Sequence, residues 1–582
     1  MQVDEKQIAL TRSLMAHFEA HGVSRRNFLK LLATAGGGAA LSSLIAACGG
    51  DDDDDAPTAT SAAAAPTATT AGSTPAAPEA TPTTGGTTAE PMIAIIASGQ
   101  DISNLDPHTG HDYSIASTQK SVYDTLLRYY GNPAEIQNVL ATEYEANEDA
   151  SVWTFKLDER AVFHDGTPVT ASDVVYSAGR LIRKNLGAAW MFVAVMDETS
   201  AVAVDEHTVT MTLKSPFSPF PLILPWLFIV NEKVVREHEV DGDEGEGWLL
   251  DHEAGSGGFT IKSWQVGDSY EFEAVPDYWF GWPEQGRLAG YVWKIMRESS
   301  SQRLALLSGE IHMAHGLSSD DFVAVASEPG FESINEPGLS VFALKLNNQR
   351  GPTSDVNVRK AIAYAMDYDA VITALNGRAS LLEGPLPNLG DFVNPNLNLY
   401  RLDMDKAKEH LEMSEYPDGG FELEFVYVTG LQIEEQIGLI LLDNLSKLGI
   451  TLNMQALVWP DMVARAKEVE TAPDIMAVYS GTSYADPDNF LWQAYHSSQA
   501  GFWAAASHYK NPELDKILED ARSTPDHQKR VELYHKAQEI LVEDAVEVWI
   551  QNQWNNWVWT DKLVYQYTPI MGQYIQPMYF LS

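Results

Sequence analysis

From residue 93 onward the chain keeps switching between two hydrophobic periods, and that alternation limits it to one class of fold. In "SVWTFKL", residues 151–157, Trp153, Phe155 and Leu157 alternate with Val152, Thr154 and Lys156, the period of two of a half-buried strand. Thr170-x-x-Asp173 then reads as a capping box that opens a helix with Val174, Ala178 and Leu181 on one stripe. Between them, His164-Asp165-Gly166-Thr167-Pro168 is turn chemistry, so the His164-Asp165 pair belongs to a hairpin and not to a catalytic dyad. Further on, "FELEFVYV" and "PDIMAVYS" read as strands, and "EEQIGLILLDNLSKLGI" reads as a helix. "DVNVRKAIAYAMDYDAVI" is a helix too, with Val358, Ile362 and Met366 on one face and Asp355 as its cap. Interleaved strands and helices predict an α/β architecture. A length of 582 residues predicts two or three domains.

The first 90 residues break this pattern. Arg25-Arg26 is followed by Phe28-Leu29-Lys30, then by a Gly- and Ala-rich run from Leu31 to Ala47 that ends at Cys48. The run is short of the roughly 20 residues that span a bilayer, which fits a processed signal. It resembles a bacterial twin-arginine export signal joined to a lipoprotein box, with Ile45-Ala46-Ala47 before a lipidated Cys48. Residues 49–90 hold Asp51–Asp55, a solvated charge run, and then Ala, Thr, Pro, Ser and Gly with almost no large side chain to bury. They are expected to form a disordered tether with a reach of roughly 35 Å. The expectation is an extracytoplasmic body held to the membrane through Cys48.

Charge and cysteine content narrow the partners. The formal net charge is −43; residues 1–48 contribute +2 and residues 49–90 contribute −7, which leaves −38 for the remainder. Such a surface repels phosphates and anionic headgroups and argues against a nucleic-acid partner. Cys48 is the sole cysteine, so an intramolecular disulfide and thiolate zinc sites are excluded. His312-x-x-His315 lies in a strand pattern, where residues three apart point to opposite faces, so it makes a poor chelate. No metal and no cofactor are expected.

The order of segments is similar to that of the large extracytoplasmic solute-binding proteins of ABC importers, the oligopeptide, dipeptide and nickel-binding family. The matching stretches, in the family's order, are "WTFKLDERAVFHDGTPVTASDVVYS", "GSGGFTIKSWQVGDSYEFEAVPDYW", "ALLSGEIHMA", "DVNVRKAIAYAMDYDAVI", "LVWPDMVARAKEVETAPDIMAVYSGTSYADPDNFL" and "NPELDKILEDA". The resemblance implies a two-lobed periplasmic-binding-protein (Venus flytrap) fold with an extra inserted domain, closing about a hinge. By segment matching, the first lobe is expected at 91–132, 220–335 and 541–582, the inserted domain at 133–219, and the second lobe at 336–540. It also implies a monomer that captures a peptide or other small molecule and delivers it to an ABC permease and ATPase complex.

Within that frame the binding candidates are Trp459, Tyr479, Gly481, Ser483 and Asp486. Trp459 occupies the position of the family's ligand-facing tryptophan, while another family tryptophan is replaced here by Ser480. Peptide-binding members commonly carry an aspartate where this chain has Ser483, and a neutral hydroxyl cannot supply the charge-assisted bond that a buried ammonium needs. Oligosaccharide or another polar solute therefore stands beside peptide as a ligand class, and ligand sensing without transport beside import. The stretch Gly481-Thr482-Ser483-Tyr484-Ala485 also sits one residue short of a serine-hydrolase elbow. Pro487 delays the helix such an elbow needs, and neither His496 nor His508 is marked as a base, so catalysis is not expected.

Overall fold

The computed structural model describes residues 92–581 apart from Ser103 and Gln285. The twin-arginine stretch, Cys48 and the acidic tether lie outside the described residues. The described body opens with β1 (Ile93–Ser98) and α1 (Tyr113–Val122). After the inserted segment come β2 (Gly290–Ile295) and β3 (Met313–His315). The chain then builds a second unit from β4 (Ser340–Leu346), β5 (Glu422–Val428), α2 (Gln432–Lys447), β6 (Thr451–Leu457), α3 (Trp459–Ala466), β7 (Ile475–Gly481), α4 (Pro487–Tyr495) and β8 (Glu547–Gln553). It ends with β9 (Trp557–Thr560) and a C-terminal segment.

Two large sheets result. The first runs Phe331–Ser333, β9, β3, β1, β2, Ser269–Ala274, Phe259–Gln265. The second runs Ala379–Leu381, β8, β4, β7, β5, β6. In the first, β1 is parallel to both β2 and β3; in the second, β5 is parallel to both β6 and β7. The return to the first lobe comes later than the expected residue 541. β8 pairs with β4 and with Ala379–Leu381, so the second lobe extends to residue 553 and only β9 rejoins the first sheet, on β3. The reason is physical: "EVWIQN" is buried along its whole length, a run that would suit the centre of either sheet.

A third, four-stranded antiparallel sheet (Ala141–Ala146, Val152–Leu157, Ala201–Asp205, Thr208–Thr212) carries the alternation of "SVWTFKL". The helix Ala171–Lys184 packs beside it and opens on the capping box of Thr170 and Asp173. This region has no separate core. Phe155, Val174, Leu181 and Met211 belong to the same hydrophobic cluster as Ile96, Tyr291 and Trp293 of the first sheet.

A buried ion pair fastens the join. Arg180 donates to both oxygens of Asp106 at 2.7 Å, and neither side chain has any exposed surface. Arg180 also donates to His108 Nδ1 (3.1 Å), which leaves the His108 Nε2–H to donate to the Phe228 carbonyl (3.0 Å). Burial, reinforced by Arg180, pushes the His108 pKa down to about 3 and keeps the ring neutral. His164, the residue of the expected hairpin, bridges to Glu253 Oε1 and the Gly257 carbonyl, both at 2.8 Å. Gly257 itself lies against the end of α1, where a Cβ would sit 2.6 Å from the Ser121 carbonyl oxygen.

The second lobe has its own core, in which Val358, Ile362 and Met366 are fully buried on the expected helix face. Two chain crossings, near residues 334–339 and 553–556, join the lobes. Arg378 of the second lobe ties them together: one of its terminal nitrogens donates to the Ile334 (2.7 Å) and Asn555 (2.9 Å) carbonyls. Its guanidinium lies 3.8 Å over the Phe322 ring and 4.9 Å over that of Trp554.

Candidate functional site

In open α/β sheets a ligand binds beyond the carboxyl ends of the strands, where the chain leaves a central strand's neighbourhood in opposite directions. The second lobe has such a point beside β5. α2 leads from β5 to β6 on one face, where Ile437, Leu441 and Leu445 join Phe425 and Ala477 in the main core. α3 leads from β6 to β7 on the other, where Met462 and Ala466 meet Val426, Met476 and Val478. The crevice between these helices is edged by the ends of β5 and β7, that is by Val428 and Gly481.

The loop after β7 meets the first lobe. Trp226 Nε1 donates to the Ser483 carbonyl (2.6 Å), the Tyr129 hydroxyl accepts from the Ala485 amide (3.2 Å), and the Met571 amide donates to the Thr482 carbonyl (3.3 Å). Beside Ala485 an interlobe groove of about 520 Å³ is lined by residues 132–134, the crossing segment 336–339 and the second-lobe loop 388–392. That volume is in the range of small-molecule sites.

The first lobe brings the carboxyl ends of its own parallel strands to the same junction. Ser98 ends β1, and His315 ends β3 directly opposite Trp557 of β9. Tyr113, the first residue of α1, packs against both, with ring centroids 4.6 Å from His315 and 5.6 Å from Trp557. Tyr567 closes the group edge-on to Trp557, and its hydroxyl accepts from Asn555 at the crossing (3.0 Å). Burial raises the Tyr113 pKa well above the ordinary tyrosine value, with Tyr565 and Tyr567 adding to it; burial also pushes His315 down to about 3. The site is thus aromatic, with a neutral imidazole. From the second lobe, Gln551 Nε2 donates to the Tyr479 hydroxyl and Tyr479 donates to Gln553 Oε1, both at 2.9 Å. Tyr113 Oη, His315 Nε2, His111 Nδ1, Gln551 Oε1 and the Gln573 amide are buried polar atoms without a hydrogen-bond partner among the described residues. Buried polar atoms of this kind are ones that a bound ligand or water could satisfy.

The candidates chosen from sequence divide. Tyr479 and Gly481 are on β7 at the crevice; beside Gly481 the space is open, with no atom within 4 Å of where a Cβ would be. Ser483 is buried against Trp226, and its hydroxyl makes no hydrogen bond and has no histidine partner among the described residues. The helix after it starts four residues later, at Pro487. Trp459 begins α3, packs edge-on to Trp503 at 5.3 Å and stays 38% exposed. Asp486 is committed elsewhere: it caps α4 through the Asp488 amide and takes two bonds from Arg530, at 2.8 and 2.9 Å. It therefore offers no free acceptor to a ligand. Asp488 is held likewise by Tyr484 (2.8 Å) and Arg522 (3.2 Å). His312 accepts from the Ile95 amide while His315 faces Tyr113, so the two point apart. Sequence reasoning missed Tyr113, His315 as an aromatic partner, and Gln551. Only Tyr113 left a signal, as the residue after the helix cap Asp112.

Comparison with known proteins agrees with this geometry. Residues 135–502 match the family described as "Bacterial extracellular solute-binding proteins, family 5 Middle". The chain is 32% identical over 463 residues, 78% of its length and 87% of the relative, to the probable D,D-dipeptide-binding periplasmic protein DdpA of Escherichia coli K12. It is 26% identical to the glutathione-binding protein GsiB of Pectobacterium atrosepticum, over 79% of the chain and 88% of the relative. Among solved structures, the periplasmic binding protein DppA of Helicobacter pylori in complex with the peptide STSA superposes with a TM-score of 0.72, at 25% identity, covering 84% of this chain and 98% of that one. HbpA2 of Haemophilus parasuis gives a TM-score of 0.75 at 22% identity, over 84% and 100%. The family match over most of the chain and the identity to DdpA place it: the chain belongs to the bacterial extracellular solute-binding proteins of family 5.

Proposed function

We propose that this protein captures a short peptide between its lobes and delivers it, unaltered, to an ABC permease. The observation that carries this reading is the junction's set of buried, unpartnered amide, hydroxyl and imidazole atoms beside aromatic rings. A peptide backbone supplies alternating N–H and C=O groups for the former and side chains for the latter. Trp459, Tyr479, Gly481 and Ser483 are proposed to line the second-lobe wall. The dipeptide and glutathione ligands in the relatives' names support the same class.

A panel of di- to pentapeptides and oligosaccharides, read by thermal shift, tests it. A ligand present at 100 times its dissociation constant stabilises the folded form by about 2.7 kcal/mol. Peptides are expected to raise the melting temperature. A response to oligosaccharides alone would replace the reading with the second one, which the neutral Ser483 favours. Tethering is part of the proposal, with lipid on Cys48 after removal of residues 1–47. Mass spectrometry of the mature protein is expected to find an acylated Cys48 as its first residue; an intact residue 1–47 segment would refute the tether.

A further inference from the structure

Glu434 is the third residue of α2 and sits in the first turn beyond β5, at the second-lobe crevice. Its side chain is 1% exposed. Oε2 accepts from the Val428 amide at 2.7 Å, while Oε1 accepts no hydrogen bond and no Lys, Arg or His pairs with the carboxylate among the described residues. Its neighbour Tyr479 does not complete it, because that hydroxyl is already engaged with Gln551 and Gln553. Two residues along the same strand, Gly481 leaves open space at the crevice mouth.

A carboxylate removed from water without a cation is strongly disfavoured in its charged form. The helix N-terminus beneath Glu434 offsets part of that, and burial leaves its pKa raised to about 7. The two aspartates of the adjoining loop cannot serve a ligand in its place, since Arg530 and Arg522 hold them. In the first lobe, Lys120 donates to the Met571 carbonyl (2.6 Å) between the rings of Trp226 and Tyr574.

We infer that Glu434 is the anchor for a ligand's primary ammonium group, its free Oε1 receiving the α-amine of the bound peptide. This rests on the peptide reading above. It places the ammonium on α2, away from the Ser483 position, and so explains how a peptide binder dispenses with an acid there.

The test is a two-by-two comparison in the full chain. The tightest peptide of the panel and its N-acetylated form are titrated by calorimetry into wild type and Glu434→Gln. Gln keeps an oxygen for the Val428 amide and removes only the charge; unliganded melting curves check that both proteins are folded. Acetylation is expected to weaken binding to wild type at least about 30-fold, the scale for removing one partner of a buried charge pair. E434Q is expected to weaken the free peptide by a similar factor, with little further loss on acetylation. An acetylation penalty equally large in both proteins, or wild-type affinity in E434Q, overturns the anchor and leaves the peptide reading standing. If neither peptide form binds wild type, the peptide reading falls and the anchor with it.

Discussion

Replacing Asp486 by alanine is expected to lower stability by about 3–5 kcal/mol while leaving affinity for the ligand nearly unchanged. The side chain is 1% exposed, and both of its oxygens receive Arg530. Its removal leaves a guanidinium buried among Tyr534, Phe392 and the Ala521 carbonyl with no counter-charge. The same substitution uncaps α4, a loss of roughly 1 kcal/mol on its own. Urea unfolding followed by tryptophan fluorescence reads the first effect and calorimetric titration the second. The opposite result, full stability with binding lost, would return Asp486 to the cleft wall.

Arg180→Met is expected to be as damaging, again by about 3–5 kcal/mol, because it strands Asp106 at zero exposure beside a neutral His108. The consequence should spread across both the first lobe and the inserted sheet, since the two share one core. A single cooperative transition shifted as a whole is the expected signature. Early loss of the inserted sheet alone, with the first lobe melting at its wild-type midpoint, would show that the shared cluster does not couple them. The double variant Arg180→Met with Asp106→Leu should recover much of the loss, as an apolar pair commonly replaces a buried ion pair.

How far the sequence revealed this protein depended on the range of the interaction in question. Local patterns were readable: the alternation through Trp153, Phe155 and Leu157, the capping box at Thr170, and the buried helix face of Val358, Ile362 and Met366 all follow from neighbours within a few residues. Long-range pairings were not. Asp486 reads as a free acid beside a proline until Arg530, 44 residues later, is seen to close on it. Glu434 reads as an ordinary first-turn acid, and only the tertiary packing that excludes water and cations from it makes it unusual. β8 carries no mark of which sheet it joins, which is why the lobe boundary moved from residue 541 to beyond 553. Tyr113, His315 and Trp557 meet across more than 440 positions, and no spacing rule connects them.

The strand order of the two sheets also governs how the chain is made. β8 and β9 lie within the last 36 residues, yet each is an interior strand, one of the second sheet and one of the first. A nascent polypeptide still attached to the ribosome at residue 540 therefore has neither lobe finished: β4 and β3 both expose unpaired edges, ready templates for another chain. Neither sheet can be completed before β8 and β9 have been made, so neither lobe can finish its sheet well ahead of the other. A chain cut upstream of Glu547 is therefore expected to expose both strand edges and to aggregate rather than yield a one-lobed fragment, which size-exclusion chromatography of the truncated protein would read.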